Sequence, residues 1–104
     1  MTFIKIGDTY YPAKIDGRIH DREWDDRASK AITLEMDYQT ASALFVDGLA
    51  WSIVQQDEDS EEEFDNAEFC LAGDITDHRD GTVTCKMGKL TELEEAYEIM
   101  LGGV

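Results

Sequence analysis

Apolar and polar residues alternate with a period of two over most of the first 36 positions, and this alternation predicts strands. Phe3-Ile4-Lys5-Ile6 and Thr9-Tyr10-Tyr11 flank Gly7-Asp8, where a glycine opening a two-residue loop predicts a type II′ hairpin. Pro12, the single proline, has no N–H for a sheet ladder and predicts an edge position or a bend. Ala13, Ile15, Gly17 and Ile19 then fall on one face, with Lys14, Asp16, Arg18, His20 and Arg22 on the other. After the turn residues Asp25-Asp26-Arg27-Ala28-Ser29, Ile32, Leu34 and Met36 alternate with Thr33 and Glu35. The pattern predicts one long hairpin over residues 13–36.

The period changes at Asp37, which can cap a helix whose apolar positions are Tyr38, Ala41, Leu44 and Phe45. Asp47-Gly48 is the expected close of that helix, glycine being favoured in the left-handed conformation there. Leu49-Ala50-Trp51-Ser52-Ile53-Val54 is apolar enough for a central strand. Residues 67–76 and 82–87 predict a final hairpin around Asp77-His78-Arg79-Asp80-Gly81. Thr91 with Glu94 forms a capping box for a C-terminal helix over 91–101, with Leu90, Leu93, Tyr97, Met100 and Leu101 as its apolar stripe and Gly102-Gly103 at its end. The expected fold is α+β: one domain over 1–104, with an antiparallel sheet of five to six strands and two helices packed on it.

Between the strand ending at Val54 and the final hairpin lies Asp57-Glu58-Asp59-Ser60-Glu61-Glu62-Glu63-Phe64-Asp65, in which seven of nine residues are acidic. Like charges repel when packed side by side, so the expectation for 57–65 is a solvated, mobile loop or extended hairpin connection. It is the densest part of a wider imbalance. The 104-residue chain carries a formal charge of −15, yet residues 1–36 hold 7 acids against 6 bases, so nearly all the excess lies beyond Asp37. A field of that sign repels nucleic acid and anionic membranes and steers the chain toward basic protein surfaces. No apolar run approaches the ~18 residues of a membrane span, and no basic-then-apolar leader opens the chain. These features point to a cytosolic protein whose Cys70 and Cys85 stay reduced.

Other chemistry is poorly served by the spacing. Cys70, Cys85, His20 and His78 are zinc-type residues, but there is no C-x-x-C knuckle, and a hairpin turning at 77–81 sets Cys85 opposite residue 73 or 74, about 10–13 Å from Cys70. Asp74, Asp77 and Asp80 lack the D-x-D-x-D-G order of a calcium loop and suit turn chemistry. No serine sits in a G-x-S-x-G elbow, and His78-Arg79-Asp80 has no glycine-rich loop or strand lysine to make it a kinase catalytic loop. The reading is therefore not an enzyme, with no metal and no cofactor. Trp24, set among charges at a hairpin tip, can either anchor a partner or fold back on the sheet.

The remaining candidate is the acidic run, which is either a solvated linker or a carboxylate array. As an array, Asp57, Glu58, Asp59, Glu61, Glu62, Glu63 and Asp65 would enter a basic groove made for nucleic acid, with Phe64 as an apolar anchor and Asp77 and Asp80 in support.

Tyr11-Pro12-Ala13, Gly17-Arg18, Asp21-Arg22-Glu23-Trp24, residues 29–34, Leu44-Phe45-Val46-Asp47 and residues 73–83 resemble segments of small prophage proteins of Firmicutes. The resemblance implies a phage origin, hence a bacterial host cytosol, and assigns no residue roles. Small acidic phage proteins include anti-CRISPR inhibitors that plug a nuclease channel, and virion or tail-assembly accessories. Charge favours the first: an inhibitor, DNA mimic or steric blocker of a type II CRISPR effector with its guide RNA, binding protein rather than nucleic acid. The assembly accessory is the alternative.

Overall fold

The inward residues of the alternating segments do converge on one face, but the sheet they build has seven strands, one more than the upper expectation. A computed structural model of the chain describes residues 1–102, with side chains through Tyr97. Its elements are β1 (Thr2–Ile6), β2 (Thr9–Asp21), β3 (Arg27–Glu35), α1 (Tyr38–Leu44), β4 (Ser52–Gln56), β5 (Glu61–Asp65), β6 (Leu71–Asp77), β7 (Thr82–Gly88) and α2 (Glu92–Gly102). The strand order is β5-β4-β1-β2-β3-β7-β6, with every pairing antiparallel. The added strand is β5, cut from the run expected to be a solvated loop or extended hairpin connection.

Ile4, Ile32, Leu34, Val83, Cys85 and Met87 supply the buried face of the sheet. Ala41 of α1 and its capping residue Phe45 close over it, together with Trp51 and Phe69 from the connecting segments. Each fully buried aliphatic side chain contributes on the order of 1.5–3 kcal/mol. Trp51 keeps its indole N–H satisfied by donating to the Phe69 carbonyl at 3.0 Å.

Asp37 caps α1 as its position predicts, its carboxylate accepting from the Thr40 N–H at 2.6 Å. The helix stops earlier than expected, at Leu44 with Phe45 as its cap. Gly48, at φ +86°, instead donates its N–H to the Cys70 carbonyl at 2.8 Å, and Asp47 accepts from the Ala72 N–H at 2.8 Å. Asp47-Gly48 thus fastens the α1–β4 connection to the start of β6.

Pro12 lies inside β2, the central strand of the sheet, and the register shows why it is tolerated. Residues 9–12 of β2 pair with β1, whereas pairing with β3 begins at Ala13. Pro12 therefore needs a ladder partner on one side only. The alternation in β2 also fades past Ile15, since Gly17 and Ile19 are exposed, Ile19 at 81%. There β2 keeps its β3 partner but has lost β1, whose ladder ends at Pro12.

The capping box of α2 forms as predicted: Glu94 accepts from the Thr91 N–H at 2.9 Å, and Thr91 Oγ1 accepts from the Glu94 N–H at 3.2 Å. The stripe does not pack down as expected, because Leu93 is 81% exposed and Tyr97 63%. Arg27 takes the place of apolar packing. Its guanidinium, only 5% exposed, donates to both Glu94 carboxylate oxygens and to the Lys89 carbonyl. The side chains of Met100 and Leu101, and Gly103, lie outside the described residues. Among those described, no helix is long and apolar enough to cross a membrane.

Candidate acidic interface

Four residues, Asp57 to Ser60, connect β4 to β5, and the Asp57 N–H donates to the Ser60 carbonyl at 2.9 Å. The register then sets Gln56 opposite Glu61, Gln55 opposite Glu62, Val54 opposite Glu63, Ile53 opposite Phe64 and Ser52 opposite Asp65. Not one partner on β4 is charged. Like charges directly opposite each other would destabilise the pair, and β4 avoids that by offering only neutral residues. Repulsion argued for a loop; a strand whose five residues are all exposed lets water solvate every carboxylate while the backbone still pairs.

Two side chains hold the array from behind. Gln56 Nε2 donates to Glu61 Oε1 at 2.6 Å, and Lys5 of β1 reaches past β4 to bond Glu63 at 3.1 Å. Glu63 hydrogen bonding, followed by its charge, raises the Lys5 pKa. Asp65 accepts from the Ala67 N–H at 2.9 Å, turning the chain away after the strand. Asp57, Glu58 and Asp59 are exposed around the turn.

Alternation places Glu61, Glu63 and Asp65 on one side of the strand and Glu62 and Phe64 on the other. Successive residues rise by about 3.4 Å and alternate in face, so Glu61, Glu63 and Asp65 follow one another along one face at about 6.8 Å, roughly twice the 3.4 Å axial spacing of phosphates on one DNA strand. Phe64, 48% exposed, continues the apolar row of Ile4 and Ile53 to the sheet edge. β5 is the outermost strand, so among the described residues its outer edge has no neighbouring strand.

Asp77 and Asp80 do not join this array. They sit at the β6–β7 turn, five to six strand spacings away, about 24–29 Å along the sheet. Both are engaged in shaping that turn. Asp77 accepts from the Arg79 N–H, with Arg79 at φ +60°, while Asp80 accepts from the Thr82 hydroxyl at 2.6 Å and N–H at 2.9 Å. The Thr82 bonds hold the Asp80 carboxyl below its ordinary value.

Trp24 is likewise remote, and of its two expected placements the structure shows the fold-back. Its half-buried ring lies over Gly73 and Gly88, with the Arg27 guanidinium 5.1 Å from the ring centroid. A Cβ added at Gly88 would come within 2.7 Å of that ring, so both glycines are needed to seat it.

Beside Trp24 lies a buried ionic group that the sequence pattern did not reveal. Asp21 is fully buried and accepts from Lys86 Nζ at 2.8 Å, Ser29 Oγ at 2.9 Å and the Glu23 N–H at 3.1 Å. Lys86 first, then Ser29, lowers its pKa. By alternation Asp21 would fall with Ala13, Ile15 and Gly17 on the core face; the register shift between Arg18 and Asp21 places it instead opposite Arg27, on the face of Ser29 and Lys86, and no short-range signal marks that. Lys30 is also partly buried, donating to Asn66 and standing 4.6 Å over the Phe69 ring, and burial lowers its pKa.

The zinc-type residues stay apart. Cys85 pairs with Ile75, not with residue 73 or 74, because the hairpin closes around residues 78–82, with Asp77 opposite Val83 and Thr76 opposite Thr84. Both cysteines are free, and burial pushes the Cys85 thiol up to about 12. His20 lies 3.4 Å from Asp26, and His78 bonds the Thr84 hydroxyl at 2.7 Å. Among the described residues no three His, Cys, Asp or Glu side chains are grouped to hold a metal ion. Comparison with protein-family models, with curated proteins and with solved structures finds no match to this chain.

Proposed function

We propose that the chain is a non-enzymatic inhibitor that presents the β4–β5 edge to a basic, nucleic-acid-binding channel of another protein. The observation that carries this reading is β5 itself: four carboxylates and one phenylalanine, all exposed, on an edge strand, with Glu61, Glu63 and Asp65 in a row along one face. The three turn acids before it extend the array. Fixed charges on a paired strand lose less conformational entropy on binding than charges on a free loop. The partner class follows from the sign of the field, and the phage-like sequence resemblance makes a bacterial defence nuclease in the host cytosol the first target, a guide-loaded type II CRISPR effector above all.

The test is DNA cleavage by such an effector, with the protein added before or after target DNA. Inhibition only when the protein comes first indicates competition for the channel, and Glu61→Gln, Glu62→Gln, Glu63→Gln together should then relieve it. Full inhibition by that triple variant, or inhibition in either order of addition, would sink the mimicry reading. A phage assembly accessory is the second reading. Exposed Leu93 and Tyr97 favour it, since an assembly protein needs an apolar contact surface. Co-purification with virion proteins, insensitive to the triple change, would support it.

A further inference from the structure

We infer that the open apolar groove between α2 and the start of β6 is a second interaction surface, and that it takes an amphipathic helix with basic flanks from a partner protein. Leu71, Leu90, Leu93 and Tyr97 line the groove, with Glu94 at its side. Leu93 and Tyr97 stand one helical turn apart on one face, the i, i+4 spacing by which helices engage a partner. An amphipathic helix in a folded domain normally buries this stripe against its own core. Here it does not, and the reason is visible. Arg27 anchors the first turn through Glu94 and the Lys89 carbonyl, which fixes α2 in place without covering Leu93 or Tyr97. The groove is therefore held open by the fold.

Charge selects the occupant. Glu92 and Glu95 are exposed on α2 beside the stripe, and Glu68 is exposed nearby, paired at 3.4 Å with Lys89. Glu94 is satisfied by Arg27. A second copy would bring acid against acid and −15 against −15, whereas lysines or arginines flanking an apolar helix face would meet Glu92 and Glu95. The groove lies at the β6–β7 side of the sheet, far from β5, so this inference stands apart from the channel-blocking reading.

The probe is an 18-residue helical peptide with leucines at i, i+4 positions and lysines elsewhere, titrated into the full-length protein and followed by backbone amide shifts. Two control peptides replace either the lysines with glutamate or the leucines with serine. The lysine–leucine peptide should shift Leu71, Leu90, Leu93 and Tyr97, and each control should bind at least tenfold more weakly. Leu93→Ser with Tyr97→Ser should weaken binding at least tenfold with unchanged thermal stability, because both side chains are exposed. The β5 triple glutamine variant should bind within about threefold of the parent. Equal binding of the serine peptide, or shifts confined to β5, would overturn the inference. So would concentration-dependent self-association abolished by the Leu93 and Tyr97 changes, which would place a second copy in the groove.

Discussion

Arg27 and Glu94, 67 residues apart in the chain, form a forked ion pair in which guanidinium nitrogens donate to both carboxylate oxygens, the longer bond at 3.1 Å. Arg27 is almost wholly buried while Glu94 is 40% exposed, so the pair sits at the boundary between sheet and solvent. Removing the carboxylate leaves a buried guanidinium short of partners, and its Nε already has none. Glu94→Ala should therefore lower stability by about 1–2 kcal/mol, the lower part of the range for charged hydrogen bonds because solvent screens the exposed partner. A urea midpoint measures the loss, and hydrogen exchange should rise first in α2.

The same pair has a pH signature. The Arg27 bonds hold the Glu94 carboxyl down to about 2 from an ordinary 4.5. A depressed folded-state pKa means that the stabilisation is complete above 4.5 and is lost as the pH falls toward 2. Asp21, Asp37 and Asp80 are shifted the same way, so the whole chain should weaken on acidification. Glu94→Gln should flatten the part of that decline between pH 4.5 and 2. An unchanged slope in stability-versus-pH curves would show that the pair does not govern it.

Trp24 and Gly73 offer a double-mutant test of how the hairpin tip is seated. A Cβ at Gly73 would fall 2.8–2.9 Å from the Trp24 ring. Gly73→Ala should cost about 1–3 kcal/mol, as overpacking does. In a Trp24→Ala background the same change should be close to neutral, and additive losses in thermal unfolding would rule out direct contact as the cause.

Acidic side chains along an edge strand also keep other strands from pairing with it. Neutralising Glu61, Glu62 and Glu63 to glutamine should leave the monomer folded but bring on self-association, visible as concentration-dependent sedimentation. A variant that stays monomeric at high concentration would show that the charges do not guard the edge.

The cysteines should separate by reactivity. The thiolate is the attacking species, and Cys85 is buried with its thiol raised to about 12. Iodoacetamide at pH 8 should modify half-buried Cys70 first and reach Cys85 only after denaturant is added. Mass spectrometry of peptides from timed samples decides the order.

What could be read from sequence was whatever depends on near neighbours. Alternation located most strands, Asp37 and Thr91 marked both helix starts, and the apolar face around Ile32, Leu34 and Trp51 was visible in the pattern. What failed depends on position in the sheet. Charge density in Glu61–Asp65 argues for a solvated loop or extended hairpin connection, yet an edge strand needs no packing on its charged side. The acids followed a four-residue turn after an uncharged β4, and that arrangement was the available sign of a hairpin. Asp77 and Asp80 joined the candidate site on charge alone, and only the strand order shows them at the far side. For Leu93 and Tyr97, periodicity identified the stripe but not that Arg27 would leave it uncovered.

The change of partner within β2 has a mechanical meaning. Because residues 9–12 bond only to β1 and residues from 13 onward only to β3, the backbone ladder never crosses β2 at a single residue. Three strands hang on each side of that crossing, with the carboxylate edge on one leaf and the α2 groove beside the other. A small rotation at the join would be magnified over the width of each leaf. Proline at position 12 fixes φ near about −65°, so the narrowest span of the sheet is stiffened at the point where leverage is greatest.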